Sequence, residues 1–433
     1  MGLTANSESS QTAVQVWPNF LDTLLADYPK RNFQVRLWDG GTWGLDRGPR
    51  FALVLKHPGA LREMFFSPSE LTLGEAYIFD DLDIEGDIEA AFDLADYLLG
   101  QGSSLGFLQS PHLVSLLQKL PVSRQTRTAH QGAPLRGSLH SKNRDRQAIH
   151  YHYDLPPEFF ALWLDRRMVY SCAYFASGED ADLDSAQYDK LDYICRKLRL
   201  RRGDRLLDIG CGWAGLVIHA ALHYDAHALG ITLSDRQAQL ARRRIRDAGV
   251  EDRCRVEVCD YRDLVLGRQY DKIVSVGMFE HVGEALLPEY FGRAWQLLRP
   301  GGAFLNHGIA VPANQSPNGA SFIDRYVFPD GELVPLNTSL RAAEGSGFEI
   351  RDVESLREHY ALTLHHWVHG LEAHAEDARR ITDETTYRTW RLYMAAAEHR
   401  FRRARLNLYQ LLMVKPVHGE SGMPLSRADW YRD

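Results

Sequence analysis

The sequence has few cysteines and lacks the segments that mark a secreted or membrane-spanning protein. Its five cysteines, at positions 172, 195, 211, 254 and 259, include no C-x-x-C pair, which argues against a disulfide framework and a structural zinc site. No run of about 18 apolar residues is present. The N-terminus, MGLTANSESSQT, has neither the basic flank nor the apolar stretch of a secretory signal. We therefore expect a cytoplasmic protein with no transmembrane segment.

The length and composition predict two globular domains. A chain of 433 residues, 45% hydrophobic and 25% charged, is long enough to bury a large core in each. Residues 32–100 alternate strand-like pieces (FQVRLW, FALVLK) with a helix-like segment, IEAAFDLADYLL. Residues 123–148 are polar and basic, and we interpret them as a flexible linker between an N-terminal domain, 1–122, and a C-terminal domain, 149–433.

The charge of this linker region contrasts with that of the rest of the chain. Residues 123–150 hold six Lys or Arg residues against one Asp, a net charge of +5. Because the whole chain has a net charge of −7, the rest of the chain carries −12. A basic strip on an acidic protein indicates an anionic surface as partner, although a merely solvated linker explains it equally well.

The C-terminal part alternates strand and helix patterns, as a doubly wound, mostly parallel sheet with helices on both faces requires. The helix patterns are SDRQAQLARRRIRDAG and LLPEYFGRAWQLLR. The strand candidates are RLLDIG, HALGITL, RCRVEV, YDKIVSVG and GAFLNHGI.

A G-x-G-x-x-G motif, Gly210 to Gly215, follows the first of these strands. A dinucleotide fold holds a pyrophosphate at this turn, which Asp208 would repel. The ribose-binding acid expected about twenty residues on is also missing, because the second strand candidate ends in Thr232-Leu233-Ser234. Asp208 therefore favours S-adenosylmethionine, which has cationic groups and no phosphate. The segment LLRPGGAFL adds a Pro-Gly-Gly turn before the fifth strand, a feature typical of class I methyltransferases.

From about residue 149 to 416 the sequence resembles the cyclopropane-fatty-acyl-phospholipid synthases, a family that includes the mycolic acid methyltransferases. The resemblance implies a Rossmann-like class I methyltransferase domain with a seven-stranded, mostly parallel sheet. The N-terminal part resembles, more loosely, a sterol-carrier-like lipid-binding α+β fold, through VRLWDGG, LVLKHPGALREMF and LGEAYIFDDLDIEGD. The C-terminal segments that carry the resemblance are YHYDLPPEFFALWLD, MVYSCAYF, LLDIGCGWAGL, GITLS, DYRD, VSVGMFEHVG, RPGGAFLNHGI and FRRARLNLYQLLMVK.

The resemblance implies transfer of a methylene group from S-adenosylmethionine to the cis double bond of unsaturated phospholipid acyl chains, which forms a cyclopropane ring. Bound bicarbonate is the implied base, and phospholipid at the inner face of the membrane is the implied partner. Methylation without ring closure, giving a methylene or methyl-branched chain, shares the first step and stays open, as does a homodimer. No nucleic-acid partner is expected.

Two functions from other classes are weighed against this one. A lipid-binding protein without catalysis would not need the catalytic residue set implied by the resemblance. A small-molecule N- or O-methyltransferase would not need a lipid-like N-terminal domain.

The family positions around the bicarbonate are occupied by matching residue types. Without the resemblance, the histidine of this set equally fits a satisfied core residue, and the cysteine a small buried hydrophobe. The implied catalytic residues are Cys172, Glu280, His307, Ile309 and Tyr360.

For the cofactor, the resemblance and the glycine motif together imply eleven residues. Ala214 stands where many relatives have glycine, and its methyl group is expected to be tolerated in the first turn of a helix. The implied cofactor-binding residues are Tyr153, Ser171, Asp208, Gly210, Gly212, Thr232, Leu233, Ser234, Gln237, Asp260 and Tyr261.

The aromatic-rich segments FFALWL, MVYSCAYF and FIDRYVF are expected either to line an acyl pocket or to form ordinary core. The histidines of HHWVH, residues 365–369, have spacings that suit a metal ion. No fixed acidic partner accompanies them, so no metal site is predicted.

Overall fold

The computed structural model describes residues 16–66, 68–100, 111–122, 132–267, 269–314 and 321–431. The chain folds into two compact units, and both are assembled from separated parts of the sequence. The first consists of Met1–Gly132, Ala320–Val327 and Asp383–His399, and the second of Ala133–Gly319, Phe328–Thr382 and Arg400–Asp433.

The first unit contains a four-stranded sheet in the order β2-β1-β3-β4. Its strands are β1 (Phe33–Arg36), β2 (Thr42–Gly44), β3 (Phe51–Leu55) and β4 (Leu82–Gly86). β1 pairs parallel with β3, while the other two pairings are antiparallel. The helices are α1 (residues 16–24), α2 (Ala60–Phe65), α3 (Glu70–Ile78), α4 (Ile88–Leu99), α5 (Pro111–Lys119), α12 (Phe322–Tyr326) and most of α16 (Glu384–Arg402).

Local sequence explains much of this unit. β1 alternates buried and half-buried residues, as the period of a strand requires. The predicted helix IEAAFDLADYLL coincides with α4, which begins after Asp87 because this side chain accepts the Ala90 N–H at 2.9 Å.

The contribution of α16 to the first unit comes from long-range polar contacts. The Arg388 guanidinium donates to the Tyr77 carbonyl at the end of α3 at 2.9 Å, and Arg391 donates to the Tyr77 hydroxyl at 2.9 Å. His399 contacts the Asp96 carboxylate at 2.7 Å. Residues 320–327 and 383–399 therefore join the first unit, although the sequence-based division places them in a domain of residues 149–433.

The second unit is built on a mixed sheet in the order β11-β12-β9-β8-β5-β6-β7, with short β10 beside the end of β9. β12 runs antiparallel to both of its neighbours, and every other pairing is parallel. All five strand candidates form strands of this sheet. The strands are β5 (Arg205–Ile209), β6 (His227–Thr232), β7 (Cys254–Val258), β8 (Tyr270–Val276), β9 (Leu298–Val311), β10 (Val334–Pro335), β11 (Glu349–Ser355) and β12 (Asn407–Val414).

The strand order places a crevice at the first glycine turn. Strand β5 lies between β6 and β8, so the chain leaves it on one side and later returns on the other. In open α/β sheets, ligands bind outside the carboxyl ends of strands at such a switch point. The turn after β5 therefore lies at the expected edge.

Two helices of the second unit begin where a side chain satisfies one of the first free N–H groups. Asp182 accepts the Ser185 N–H at 2.9 Å, and Ser234 accepts the Gln237 N–H at 3.2 Å. Among the described residues, no helix is long and apolar enough to cross a bilayer. The helices are α6 (Lys142–Tyr153), α7 (Pro157–Ala161), α8 (Leu183–Leu198), α9 (Gly215–Tyr224), α10 (Asp235–Asp247), α11 (Leu287–Leu297), α13 (Leu336–Gly345), α14 (Arg357–Ala373) and α15 (Ala375–Ile381).

The Pro-Gly-Gly segment lies inside β9 instead of forming a turn before it. Tyr270 of β8 pairs with Leu298, but Lys272, two residues on, pairs with Ala303. The intervening residues therefore bulge out of the ladder, and Gly301 allows this with a φ of +74°.

The predicted linker also differs from the structure. Residues 123–131 lie outside the described residues, but residues 142–148 are the first part of α6 and not a flexible connection. Arg144 on this helix pairs with Asp330 at 2.5 Å, and Asp145 pairs with Arg262 at 2.8 Å. These ion pairs hold α6 within the second unit.

Candidate active site

A pocket of about 1170 Å³, partly open to solvent, lies at the carboxyl ends of β5, β6 and β8. This volume includes open solvent at the mouth of the pocket. Ser234, the eleventh predicted cofactor residue, does not line it, since it is fully buried and caps α10. The ten that do are Tyr153, Ser171, Asp208, Gly210, Gly212, Thr232, Leu233, Gln237, Asp260 and Tyr261.

The glycine turn after β5 needs glycine at its first position. Gly210 has a φ of +88°, and a Cβ placed there would lie 2.7 Å from the Met278 Cβ. The N–H groups of Gly210 and Cys211 both donate to the Ile231 carbonyl, at 3.0 and 2.9 Å, which ties the turn to β6. The turn is therefore fixed in place at the pocket floor.

Ala214 departs from the expectation stated for it. It precedes α9 and adopts the left-handed conformation, with a φ of +70°, instead of lying in the first turn of the helix. This conformation is strained for a residue with a side chain. A glycine would be unstrained there.

Asp208 provides the negative charge of the pocket. Only 3% of it is exposed, and its Oδ1 atom has no hydrogen-bond partner among the described residues. Burial raises the pKa of the Asp208 carboxyl to about 7, and the nearby Lys190 ammonium opposes that rise. A buried carboxylate oxygen on a pocket wall fits a cationic ligand group and disfavours a phosphate.

The end of β6 is held by a local network. The Thr232 hydroxyl donates to Gln237 Oε1 at 2.7 Å and accepts the Ser234 N–H at 3.2 Å. Because the amide oxygen of Gln237 is engaged, this side chain offers its amide N–H groups as donors. Ser234 therefore supports the pocket by positioning Gln237.

At the pocket rim, Asp260 is bound by Arg262, a residue that the sequence reasoning missed. The Asp260 carboxylate accepts from the Arg262 backbone N–H at 2.9 Å and from its guanidinium at 2.6 and 2.8 Å. The same guanidinium reaches Asp145 on α6. This arginine joins α6 to the turn after β7.

Lys190 on α8 is a second missed residue of the pocket. It is 1% exposed, and its Nζ donates to the Ser171 Oγ at 2.7 Å. Burial lowers the pKa of the Lys190 ammonium to about 8. The sequence signal for it is weak: helical spacing puts Lys190 on one face with Ala186 and Ile194, four residues to either side.

Glu280, among the predicted catalytic residues, lies just after β8. Its Oε1 accepts the Ile309 N–H at 2.7 Å, while its Oε2 is buried and has no partner among the described residues. Burial raises the pKa of the Glu280 carboxyl to about 7, and the Ile309 N–H opposes the rise. Glu280 and Ile309 therefore meet, with one carboxylate oxygen unused.

His307 lies on β9, two residues before Ile309, and is fully buried. The Gln410 amide nitrogen lies 3.2 Å from its Nδ1. Since that nitrogen can only donate, Nδ1 accepts and the proton of the neutral ring is on Nε2. Burial lowers the pKa of His307, and its Nε2 has no partner among the described residues. His307 thus presents an N–H donor.

Cys172 and Tyr360 meet at the carbonyl of Leu356. The Tyr360 N–H donates to this oxygen at 3.0 Å, and the Cys172 Sγ lies 3.8 Å from it. The Leu356 N–H in turn donates to the Leu408 carbonyl, and Leu408 is paired with Ile309 across β12 and β9. The start of α14 therefore lies beside the part of β9 that carries Ile309.

Aromatic rings cluster beside the cofactor pocket. Tyr170, on the pocket wall, lies 5.1 Å from Trp367, 5.3 Å from Trp163 and 5.7 Å from His152, measured between ring centroids. The segments FFALWL and MVYSCAYF supply part of this cluster. FIDRYVF does not act as one segment, because residues 322–327 belong to the first unit.

Comparisons with known proteins connect this site to lipid methylation. Residues 140–411 match the family model described as mycolic acid cyclopropane synthetase, and residues 20–97 match a domain of unknown function. A probable fatty acid methyltransferase of Pseudomonas putida is 42% identical over 404 residues, 92% of this chain and 96% of its own. The Escherichia coli cyclopropane-fatty-acyl-phospholipid synthase is 36% identical over 291 residues, 67% of this chain and 73% of its own.

A solved structure shares both sequence and fold. The mycolic acid cyclopropane synthase CmaA1, complexed with SAH and CTAB, is 31% identical and superimposes with a TM-score of 0.58. The match covers 62% of this chain and 97% of that one. The predicted family resemblance and the class I methyltransferase fold are thereby confirmed. The sterol-carrier-like character of the N-terminal part stays a prediction.

Proposed function

The chain belongs to the mycolic acid cyclopropane synthetase family and is an S-adenosylmethionine-dependent methyltransferase, and we propose that it methylenates the cis double bond of unsaturated phospholipid acyl chains to form a cyclopropane ring. The observation that supports this proposal is a cofactor pocket together with two buried polar side chains on or just after the neighbouring strands β8 and β9. Asp208 lines the pocket, Glu280 lies just after β8, and His307 lies on β9.

The pocket fits S-adenosylmethionine, which supplies a methyl group on a positively charged sulfur. Asp208 has a buried, unpartnered oxygen for the cofactor's ammonium. Gly210 and Gly212 line the pocket without side chains, so a ligand can approach the backbone of the glycine turn closely. Thr232 and Gln237 offer further polar contacts at the end of β6.

The Glu280 and His307 pair fits a small anion with one hydroxyl group, as bicarbonate has. Bicarbonate would supply the base that takes a proton from the transferred methyl group, whose C–H electron pair then closes the ring. His307 would donate its Nε2–H to the anion, and Glu280 Oε2 would accept a hydrogen bond from the anion's hydroxyl group. In this arrangement the side chains orient the base and do not themselves remove the proton.

The chain must also keep water away from the carbocation that methyl transfer creates on the acyl chain. An alkene is a weak nucleophile, so both alignment and exclusion of water are needed. The buried rings of Trp163 and Trp367 around Tyr170 offer an apolar, electron-rich wall for this purpose.

A product assay tests this proposal. The protein is incubated with S-adenosylmethionine and vesicles of a monounsaturated phospholipid, and the acyl chains are examined by proton NMR. Mass alone cannot decide, because a ring and a methylene branch both add CH2. Signals of ring protons are expected. A methyl branch or methylene group instead would refute ring closure but not methyl transfer.

The role of the polar cluster is tested by three variants, Glu280→Ala, His307→Ala and Tyr360→Phe. Positioned base catalysis contributes about a hundred- to ten-thousand-fold, so turnover should fall within that span while S-adenosylhomocysteine binding stays nearly intact. Full activity after rigorous bicarbonate removal would contradict the assignment of the base.

Methylation without ring closure is the second candidate, and one observation favours it. The Pseudomonas putida relative that covers 92% of this chain is named a probable fatty acid methyltransferase and not a cyclopropane synthase. The two reactions share methyl transfer and differ in where the proton is lost. The NMR assay above separates them.

We also propose that the enzyme works at an anionic membrane surface, to which exposed basic residues contribute about 1 kcal/mol each at most. Lys142 and Arg144 already pair with Asp263 and Asp330, so they have less charge to offer a membrane. Sedimentation with anionic and neutral vesicles should show a preference for the anionic ones. The preference should shrink when Arg124, Arg127, Lys142 and Arg144 are neutralised together. An unchanged preference would make the basic segment only a tether.

A further inference from the structure

We propose that Lys190 completes the amino-acid end of the cofactor pocket: beside Ser171, which the family resemblance already implies as a cofactor residue, its ammonium faces the carboxylate of S-adenosylmethionine while Asp208 faces the cofactor's ammonium. All three residues line the pocket. The proposal concerns the cofactor end of the site and does not depend on which lipid product is formed.

The geometry gives this carboxylate subsite two donors. An ammonium can only donate, so the Lys190 Nζ, 2.7 Å away, uses a lone pair of the Ser171 oxygen. The Ser171 hydroxyl hydrogen is then available to another acceptor. A carboxylate beside this pair can therefore accept from the hydroxyl and face the ammonium.

The subsite is rigid, because the strand-like segment that carries Ser171 is fastened to α8. The Gln187 amide nitrogen donates to the Ser171 carbonyl at 2.8 Å and to the Val169 carbonyl at 3.3 Å. Gln187 lies one helical turn before Lys190. One helix thus fixes both the hydroxyl and the cation, as binding without reorganisation requires.

The charges of the pocket explain why a zwitterion fits. Among the described residues, Lys190 has no carboxylate within 4.0 Å, and Asp208 Oδ1 has no hydrogen-bond partner. A buried charge without a partner is costly. The ammonium and carboxylate of an amino acid would satisfy both charges together. The lowered pKa of Lys190, about 8, still leaves the amine mostly protonated at neutral pH.

Lys190 has other neighbours, which suggest a rival role. Its positive charge does not repel a nearby anion. The same charge opposes the rise in the pKa of the buried Cys172 thiol and helps to lower the pKa of His307. The rival is that Lys190 attracts the anion held at Glu280 and His307. A hydrogen bond from Lys190 to Ser171 on the cofactor pocket wall favours the carboxylate subsite.

The test removes the carboxylate from the ligand and the cation from the protein. Calorimetry measures binding of S-adenosylhomocysteine, its decarboxylated analogue and 5′-methylthioadenosine, which lacks the whole amino-acid end. The wild type should prefer S-adenosylhomocysteine to the decarboxylated analogue by about 10- to 100-fold, the range for a hydrogen bond to a charged group. Lys190→Met should lose most of this preference and bind 5′-methylthioadenosine as the wild type does. Ser171→Ala should lose part of it.

Lys272→Met is the matched control. Lys272 is also buried and has its pKa lowered to about 8, but it lies on β8 and does not line the pocket. The control should keep the full preference. Equal weakening of all three ligands by Lys190→Met would overturn the proposal and leave Lys190 a structural role. An unchanged preference, with a higher bicarbonate concentration needed for half-maximal activity, would overturn it in favour of the rival.

Discussion

Replacing Glu280 by Gln is expected to stabilise the protein above neutral pH while it reduces turnover. Burial raises the pKa of this carboxyl from 4.5 to about 7. Between these values the unfolded chain has lost the proton and the folded chain keeps it. The folded state then binds more protons, so stability falls as the pH rises through this window.

The magnitude follows from the size of the shift. At 1.36 kcal/mol per pKa unit, the rise from 4.5 to about 7 corresponds to about 3 kcal/mol of lost stability. This loss is nearly complete at pH 7 and stays constant above it. Gln does not ionise, and its amide oxygen can still accept the Ile309 N–H that Glu280 Oε1 now accepts at 2.7 Å. Its amide N–H2 replaces the hydroxyl of protonated Glu280 as a buried donor. The variant should therefore match the wild type near pH 4 and exceed it by about 3 kcal/mol at pH 8.

Denaturant unfolding at a series of pH values between 4 and 8.5 measures this difference. The two structural units of the chain need not unfold together. The transition to follow is therefore the one whose midpoint shifts when S-adenosylhomocysteine is added. Glu284→Gln, an exposed carboxylate in the next short helix, is the control, and its stability difference should not vary with pH in this way. A pH-independent difference for Glu280→Gln, or one that grows towards acid, would refute the argument that the carboxylate is desolvated.

Three further outcomes concern the cofactor pocket. Since burial raises the pKa of Asp208 to about 7, calorimetric affinity for S-adenosylhomocysteine should rise from pH 6 to 8; Asp208→Asn should abolish that rise and weaken binding at pH 8 by about 1 to 3 kcal/mol. Gly210→Ala should abolish binding because its Cβ would lie 2.7 Å from Met278, whereas Gly292→Ala, on α11 with open space around it and outside the pocket lining, should retain binding. Ala214→Gly should change the free energy of unfolding, measured by thermal unfolding, by less than about 1 kcal/mol. Glycine relieves about 1 to 2 kcal/mol of left-handed strain, but the variant loses a buried methyl group and has a more flexible unfolded chain. A loss of several kcal/mol would contradict this.

Local pattern accounts for the parts of the structure that the sequence predicts well. Short apolar runs between helical segments are sufficient to identify the strands of the second unit, because a buried parallel strand is apolar on both faces. The placement of Asp208 and the glycine turn follows from the strand that precedes them. Ten of the eleven predicted cofactor residues consequently line one pocket.

The remaining features depend on contacts between residues far apart in the chain. Gln410 orients His307 from 103 residues away, and Arg388 joins the first unit through Tyr77, 311 residues earlier. Neither pairing leaves a trace in local periodicity. Lys190 was missed for another reason: a lysine on a helix is usually solvated, and only the fold reveals that this one is buried.

The electrostatics of the polar cluster bear on which group removes the proton. Burial lowers the pKa of His307 and its Nδ1 already accepts from Gln410, so the ring is a donor and a poor base. Burial likewise raises the pKa of the Cys172 thiol, which keeps it protonated. Glu280, with a pKa of about 7 and one unpartnered oxygen, is the remaining side-chain candidate. The bicarbonate dependence of turnover separates the two bases that remain. If Glu280 takes the proton directly, bicarbonate removal leaves the rate unchanged; if Glu280 orients a bound anion, removal lowers the wild-type rate towards that of the Glu280→Gln variant.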